Sequence, residues 1–355
     1  MTTALDQFHP LVAGWFRDNL GPPTDVQQQS WPKIAAGEHL LITAPTGSGK
    51  TLTAFLWAIN QFIDGKLDTG QTRVLYISLL KALNNDIQRN LTRPLQDLAQ
   101  IFADADIPFP DIKVSTRSGD TDAGDRRRML RHPPEILITT PESLNLLLSS
   151  KGGRGLLHGI DTLILDEIHA VVGSKRGAYL ASAVERLVPL SGEFQRVADF
   201  VGAYRLDTNR KDYLVDPQYQ KRKVTVIESK QHKDYQVTVR YPEEAAERMK
   251  DEKIWDSLCE DFNAKIATNR STLLFTNSRV LCEKLTYKIN TAANATIAYA
   301  HHGSLSREIR DDVEEKLKSG DLAAIVAASS LEMGIDIGAL DEVVLIQCPT
   351  SISSA

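Results

Sequence analysis

The stretch "LLITAPTGSGKTLTAFLWAI", Leu40 to Ile59, constrains the fold more than any other: an apolar run, a loop of small residues, then an apolar helix-forming run. Gly47, Ser48 and Gly49 carry little side-chain bulk, so the backbone N–H groups of the loop, with Thr46 at its start, can close around phosphate oxygens. Lys50 adds a positive charge and Thr51 a hydroxyl suited to Mg²⁺. A strand–helix turn with an incidental lysine is the competing reading, and Ala44 stands where the general phosphate-loop pattern begins with glycine. The strand before the loop and the helix after it favour a nucleotide, with ATP and Mg²⁺ as the expected ligands.

A second stretch, "LILDEIH", ends an apolar run in Asp166, Glu167 and His169. Asp166 is positioned to hold Mg²⁺, and Glu167 to orient and deprotonate a water that attacks a γ-phosphate. Taken alone, the pair fits a helix N-cap followed by a first-turn acid just as well. Together with the loop at Lys50 it makes nucleotide hydrolysis the leading chemistry. Upstream, "GPPTDVQ" sets Gln27 just before the helix leading to the loop, where an amide could pair with the donor and acceptor on an adenine edge. An exposed surface glutamine is the alternative.

Continuous apolar runs recur along the chain: "LLIT", "VLYIS", "ILITT" and "LILDE", then "TLLFTN", "TIAYAHHG", "AAIVAASS" and "VVLIQCP". Runs without alternation suit strands buried on both faces, and the helical stretches between them indicate an α/β fold of parallel sheets. Ligand loops then lie at the carboxyl ends of the strands. The polar stretch "DTNRKDYLVDPQYQKRK" separates the two series, and "VTVIESK" and "YQVTVRYP" after it alternate like a hairpin. The expected division is residues 1–206, a linker with a β-hairpin at 207–250, and residues 251–355.

Composition bears on function mainly by exclusion. With 42% hydrophobic and 25% charged residues the chain has a globular protein's balance, and no apolar run approaches the roughly 18 residues of a membrane span. The expected setting is the cytoplasm, with Cys259, Cys282 and Cys348 as free thiols. A net charge of −5 neither indicates nor excludes nucleic acid, because clustering of basic residues decides that. The basic run "GDRRRMLRHPP" reads as a solvated helix face rather than a phosphate patch, and His301-His302 lack further ligands at metal spacing.

These residues resemble the superfamily 2 helicases. "APTGSGKT", Ala44 included, is similar to that superfamily's phosphate loop, and "DEIH" to its DExH box. The segments "YISLLKALNNDIQRNL", "RSGDT", "ILITTPESL", "DEIHAVVGSKRG", "LLFTNSR" and "SSLEMGIDIG" resemble, in order, those of the Lhr-type (large helicase-related) branch. The resemblance implies two RecA-like domains, each a mainly parallel sheet flanked by helices, with ATP in the cleft between them. It implies a monomer acting on single-stranded or partly duplex nucleic acid, DNA more than RNA, in repair or nucleic-acid processing. Lys81, Thr140, Pro141, Glu142 and Ser143 would meet the strand in the first domain, and Asn277, Ser278, Arg279 and Gly303 in the second. Gly334 and Asp336 would approach the nucleotide. Pro141-Glu142-Ser143 is equally the ordinary start of a helix, and Gly334 and Asp336 an ordinary turn.

Two departures from the family pattern stand out. Where the family has an apolar strand ending in Ser-Ala-Thr, the chain reads "PLSGEFQRVADFVGAY"; the expectation is that no strand forms and that residues are absent around Arg196–Val197. The chain also ends at "CPTSISSA", before the family's Gln-x-x-Gly-Arg-x-x-Gly segment, so the second domain is expected to be incomplete. Arginines that reach a γ-phosphate contribute on the order of 10³ to 10⁵ in rate in related chemistry. The alternative to an active helicase is therefore an ATP-gated nucleic-acid-binding module with little turnover.

Overall fold

The structure, a computed structural model, describes residues 4–45, 48–78, 81–168, 171, 174–192, 194–198, 204–206, 215, 218–230, 236–239, 254–302, 304–306, 308–309, 312–313, 316, 319, 322–328 and 340–346. The chain divides into two compact units, Met1–Lys233 and Asp234–Ala355.

The first unit begins with α1 (Pro10–Leu20), α2 (Asp25–Ala35), β1 (His39–Thr43), α3 (Lys50–Ile63), β2 (Val74–Ile77) and α4 (Lys81–Asp104). Next come β3 (Val114–Arg117), α5 (Ala123–Arg131), β4 (Ile136–Thr139), α6 (Pro141–Leu148), α7 (Lys151–Leu156) and β5 (Thr162–Leu165). It closes with α8 (Lys175–Glu185), α9 (Val188–Ser191), β6 (Gln195–Ala198), β7 (Tyr204–Leu206), β8 (Tyr219–Lys221) and β9 (Val224–Glu228). Seven strands form one sheet in the order β3-β4-β2-β5-β6-β1-β9, and every neighbouring pair is parallel.

The continuous apolar runs have the expected cause, a sheet covered on both faces. In β2, Val74 and Tyr76 join a core cluster with Phe55, Ile59 and Phe102 of α3 and α4. Leu75 and Ile77 join the other cluster, with Leu144, Leu147, Leu180 and Val184 of α6 and α8. Successive side chains point to opposite faces, so a strand between two helical layers must be apolar at every position. Phe8 and Phe16 pack edge-on against Trp31 at 4.8 and 5.3 Å, so the N-terminal aromatic residues build core.

Two expectations need correction here. The region around Arg196–Val197 does form a strand: β6 pairs with β5 on one side and β1 on the other, so the sheet is continuous. Four residues suffice because a parallel strand between two others satisfies its ladder groups over a short length. Arg196 obscured the strand in the sequence. Its side chain is buried, with Nη1 2.8 Å from Glu185 Oε1 and the guanidinium 4.9 Å from the centre of the Phe194 ring. The strand is present although no Ser-Ala-Thr follows it.

"VTVIESK" is likewise not half of a hairpin. Its residues form β9, parallel to β1 at the sheet edge, with His39 opposite Val224 and Thr43 opposite Glu228. Residues 236–239 of "YQVTVRYP" lie in no strand. The antiparallel pair in this region is β7 with β8. The first unit consequently runs to Lys233, and 207–250 is not one linker.

The second unit contains α10 (Ile254–Thr268), β10 (Thr272–Thr276), α11 (Arg279–Ala293), β11 (Ala298–His301), β12 (Ala324–Ala328) and β13 (Glu342–Leu345). Its strands form a parallel sheet in the order β11-β12-β10-β13. Cys259, Phe262, Leu274, Leu285 and Val326 form the centre of its core. Among the described residues of the chain, no helix is long and apolar enough to cross a membrane.

Candidate active site

Because the seven strands of the first sheet are parallel, their carboxyl ends share one edge, and the loops there carry the predicted residues. The phosphate loop leaves β1 and enters α3 at Lys50. Gly49 has φ +82°, a left-handed conformation that glycine adopts without strain. A Cβ at Gly49 would stand 2.6 Å from Gln27 Nε2, so the loop also needs glycine for space. Ser48 is buried, and its Oγ has no hydrogen-bond partner among the described residues. Thr46 and Gly47 lie outside the described residues.

Asp166, just beyond β5, meets the start of α3. Thr51 Oγ1 donates to Asp166 Oδ2 at 3.2 Å, across 115 residues of sequence. A hydroxyl and a carboxylate oxygen in contact, beside a lysine and a cradle of glycine, form the hard-oxygen donor set that suits Mg²⁺ with a nucleotide phosphate. Tyr76 OH donates to the same Oδ2 at 2.5 Å, and the Glu167 N–H donates to Oδ1 at 3.0 Å. Glu167 itself has φ +54°, rare for a residue with a side chain, and Ile168 after it is buried in the core. Strain of this kind, about 1–3 kcal/mol, gathers at functional sites. His169 lies outside the described residues.

Gln27 is buried, not an exposed surface residue, and sits against the loop. It is the third residue of α2 in a capping box: Thr24 N–H donates to its Oε1 at 2.9 Å, and its own N–H reaches Thr24 Oγ1 at 3.3 Å. Thr24 Oγ1 in turn donates to Ser48 O at 2.9 Å. In this structure both ends of the amide face protein, Oε1 on the helix start and Nε2 on Gly49.

The strand-contact candidates divide by exposure. Thr140, Pro141 and Ser143 are buried: Thr140 caps α6, accepting Ser143 N–H at 3.3 Å and donating to Ser143 Oγ at 3.2 Å. Their side chains therefore fulfil the helix-start role. Glu142 is exposed and held by a fork, Arg176 Nε at 2.6 Å from Oε1 and Nη2 at 3.1 Å from Oε2. Partial burial works against the Glu142 charge, but the Arg176 fork and its own N–H keep its pKa below the ordinary value. Lys81 begins α4, with its side chain outside the description.

In the second unit, Asn277, Ser278 and Arg279 are exposed at the carboxyl end of β10. Ser278 caps α11 by accepting Leu281 N–H at 3.2 Å, and Arg279 Nη1 donates to Ser304 Oγ at 2.5 Å. His302 accepts Ser304 N–H on Nδ1 at 3.3 Å and lies 2.6 Å from Glu283 through Nε2, a hydrogen-bonded role. Gly303, Gly334 and Asp336 lie outside the described residues, and no metal-binding cluster of His, Cys, Asp and Glu occurs among the described ones. Sequence reasoning missed Tyr76 and Arg176. A hydroxyl inside a continuous apolar run was the available signal for Tyr76, since a buried phenol needs a partner.

A phosphate loop closed on an acidic pair, followed by a second parallel sheet, defines the class: a two-unit P-loop helicase core. The DEAD/DEAH box helicase family matches residues 24–198, and the helicase conserved C-terminal domain matches residues 250–355. The chain is 37% identical to an Lhr helicase/probable uracil glycosylase of Mycolicibacterium smegmatis, over 99% of this chain and 25% of that protein. It is 39% identical to an ATP-dependent helicase Lhr-Core of Methanothermobacter thermautotrophicus, over 98% of this chain and 41% of that one. A solved structure of the Mycobacterium smegmatis helicase Lhr bound to ssDNA and AMP-PNP matches with a TM-score of 0.84 and 39% identity, covering 99% of this chain and 46% of that chain. The chain belongs to the Lhr-type DEAD/DEAH box helicases. It spans between a quarter and about two fifths of the length of the curated relatives it matches.

Proposed function

We propose that this chain is the motor core of a helicase that uses ATP hydrolysis to move along nucleic acid. The contact between Thr51 and Asp166 carries the reading, because it joins the phosphate loop to the DExH segment at one point. Lys50, Ser48 and Gly49, with Thr46 and Gly47, hold the phosphates. Thr51 and Asp166 hold Mg²⁺, which when bound neutralises phosphate charge. Glu167 takes the proton of the attacking water. Gln27 approaches the nucleotide from α2, and Gly334 and Asp336 belong to the same role.

Single-stranded DNA is the favoured track, supported by the relative solved with ssDNA and AMP-PNP. The start of α6, Lys81, and Asn277, Ser278, Arg279 and Gly303 would meet it through phosphate contacts that ignore sequence. We further infer a monomer in the cytoplasm, serving DNA repair or processing. Binding without turnover is not favoured: one of its supports was a broken first sheet, and that sheet is continuous.

The test is ATPase rate with and without single-stranded oligonucleotide. Strand-stimulated hydrolysis is expected in the parent, with Lys50→Ala abolishing nucleotide binding. Glu167→Gln should keep binding and lower kcat by about 10² to 10⁴, the range for loss of a general base. A parent whose rate ignores the strand would refute the proposal.

A further inference from the structure

Arg279 and Glu283 stand one turn apart on α11, at the i and i+4 spacing where an arginine and a glutamate ordinarily pair with each other. Here each has another partner. Glu283 Oε1 lies 2.6 Å from His302 Nε2, and Arg279 Nη1 donates to Ser304 Oγ at 2.5 Å. The Arg279 guanidinium has no carboxylate partner among the described residues. His302 and Ser304 both belong to the turn that follows β11, the edge strand of the second sheet.

The turn is built around His302, which is buried. A backbone N–H can only donate, so the 3.3 Å bond from Ser304 N–H to His302 Nδ1 requires that ring nitrogen to be the acceptor. The ring proton then sits on Nε2 and points at the Glu283 carboxylate, which fixes the tautomer and the ring orientation together. The His302 carbonyl accepts Leu305 N–H at 3.1 Å and closes the turn. Ser304 is thereby set where its hydroxyl meets Arg279. Arg279 itself is exposed in the first turn of α11, the helix end whose dipole favours anions, so a cation held there is stabilised by an arriving anion.

We propose that Glu283 and His302 are positioning residues for Arg279: through the turn at Ser304 they hold its guanidinium open to a phosphate of the single strand. The inference rests on the functional reading above, under which Arg279 meets the strand. It assigns work to a buried imidazole and a carboxylate that touch no phosphate themselves. Glu283 spent on His302 is a carboxylate that does not pair with Arg279. The Ser304 hydroxyl holds the guanidinium without neutralising it, so the charge stays available to the strand.

The test measures the affinity of the full chain for a single-stranded oligonucleotide as salt is varied, with ATP affinity and melting temperature alongside. Arg279→Ala is expected to lower strand affinity about 10- to 100-fold, the range for a hydrogen bond to a charged group. It should also flatten the slope of log affinity against log salt by about 0.7, the share of one phosphate. His302→Ala should lower affinity about tenfold and flatten the slope by the same amount, although the imidazole itself meets no phosphate. The double variant His302→Ala/Arg279→Ala should lose no more than Arg279→Ala alone, because both remove one contact. Glu283→Gln keeps an acceptor for Nε2–H, and Glu283→Ala has the same charge without it, so the glutamine variant should bind the strand about threefold more tightly. Glu283 is exposed, so this pair decides the matter even where His302→Ala lowers the melting temperature. ATP affinity should stay at the parent value throughout. Additive losses in the double variant, an unchanged slope in a folded His302→Ala chain, or equal affinity of the two Glu283 variants each overturns the positioning role. Parent-like strand binding by Arg279→Ala, or a parent that binds no oligonucleotide, defeats the functional reading and the inference with it, outcomes distinct from the others.

Discussion

The phenol of Tyr76 is buried in the middle of an apolar strand, yet its oxygen lies 2.5 Å from Asp166 Oδ2. The ring stacks on Phe55 of α3 at 5.1 Å, so packing fixes where the hydroxyl points. A hydrogen bond to an ionised partner is worth about 1.5–3 kcal/mol, and groups that orient a metal ligand typically control about 10- to 100-fold in metal affinity. Tyr76→Phe keeps the ring and removes only the donor. The expected result is Mg²⁺-dependent nucleotide binding that needs about 10- to 100-fold more Mg²⁺, with little change in melting temperature. Calorimetric titration of Mg²⁺ at fixed nucleotide measures it, and an unshifted Mg²⁺ midpoint would remove Tyr76 from the site. The shifted midpoint would make Tyr76 a positioning residue, acting through Asp166.

At the scale of the element, β6 shows how an ion pair lets a short, charged segment complete a buried sheet. Arg196 and Arg222 are both buried, and both approach Glu185 at the end of α8, at 2.8 and 3.5 Å. Glu185 is 40% exposed, so water already screens part of the attraction. Removing one partner of a buried pair leaves an uncompensated charge, typically about 3–5 kcal/mol, and the lower end applies here. Glu185→Ala should therefore lose about 3 kcal/mol in urea unfolding, through the sheet junction that β6 makes. A loss under about 0.5 kcal/mol would mean that the carboxylate does not support the strand. The same residues explain what the sequence concealed. Strands that are apolar along all or nearly all of their length, such as β2 and β5, declare burial on both faces. β6 carries a charge whose partner stands 11 residues away, and β9 pairs with β1, some 185 residues earlier in the chain, so neither pairing is a local property. The phosphate loop and "DEIH" were legible because their chemistry needs fixed residues at fixed spacing. Whether the Thr140 and Ser143 hydroxyls cap a helix, meet a phosphate or do both is not written in the sequence, because the two roles use the same residues at the same spacing.

At the scale of the molecule, the two units carry different shares of the work. The seven-stranded sheet, both of its core clusters and every described residue of the nucleotide site lie within residues 1–233. Asn277, Ser278 and Arg279 belong to the second unit. A domain with its own core and an uninterrupted sheet can fold alone. A fragment of residues 1–233 should then unfold cooperatively and still bind ADP with Mg²⁺. Saturation at 100 times Kd would raise its unfolding free energy by about 2.7 kcal/mol, a shift that Lys50→Ala removes. Strand stimulation of hydrolysis should be lost in the same fragment, since part of the proposed track contact is gone. Calorimetric melting with and without ADP measures the first effect and a coupled ATPase assay the second. A fragment that melts without cooperativity, or ignores ADP at saturating concentration, would show that the nucleotide site depends on residues beyond Lys233.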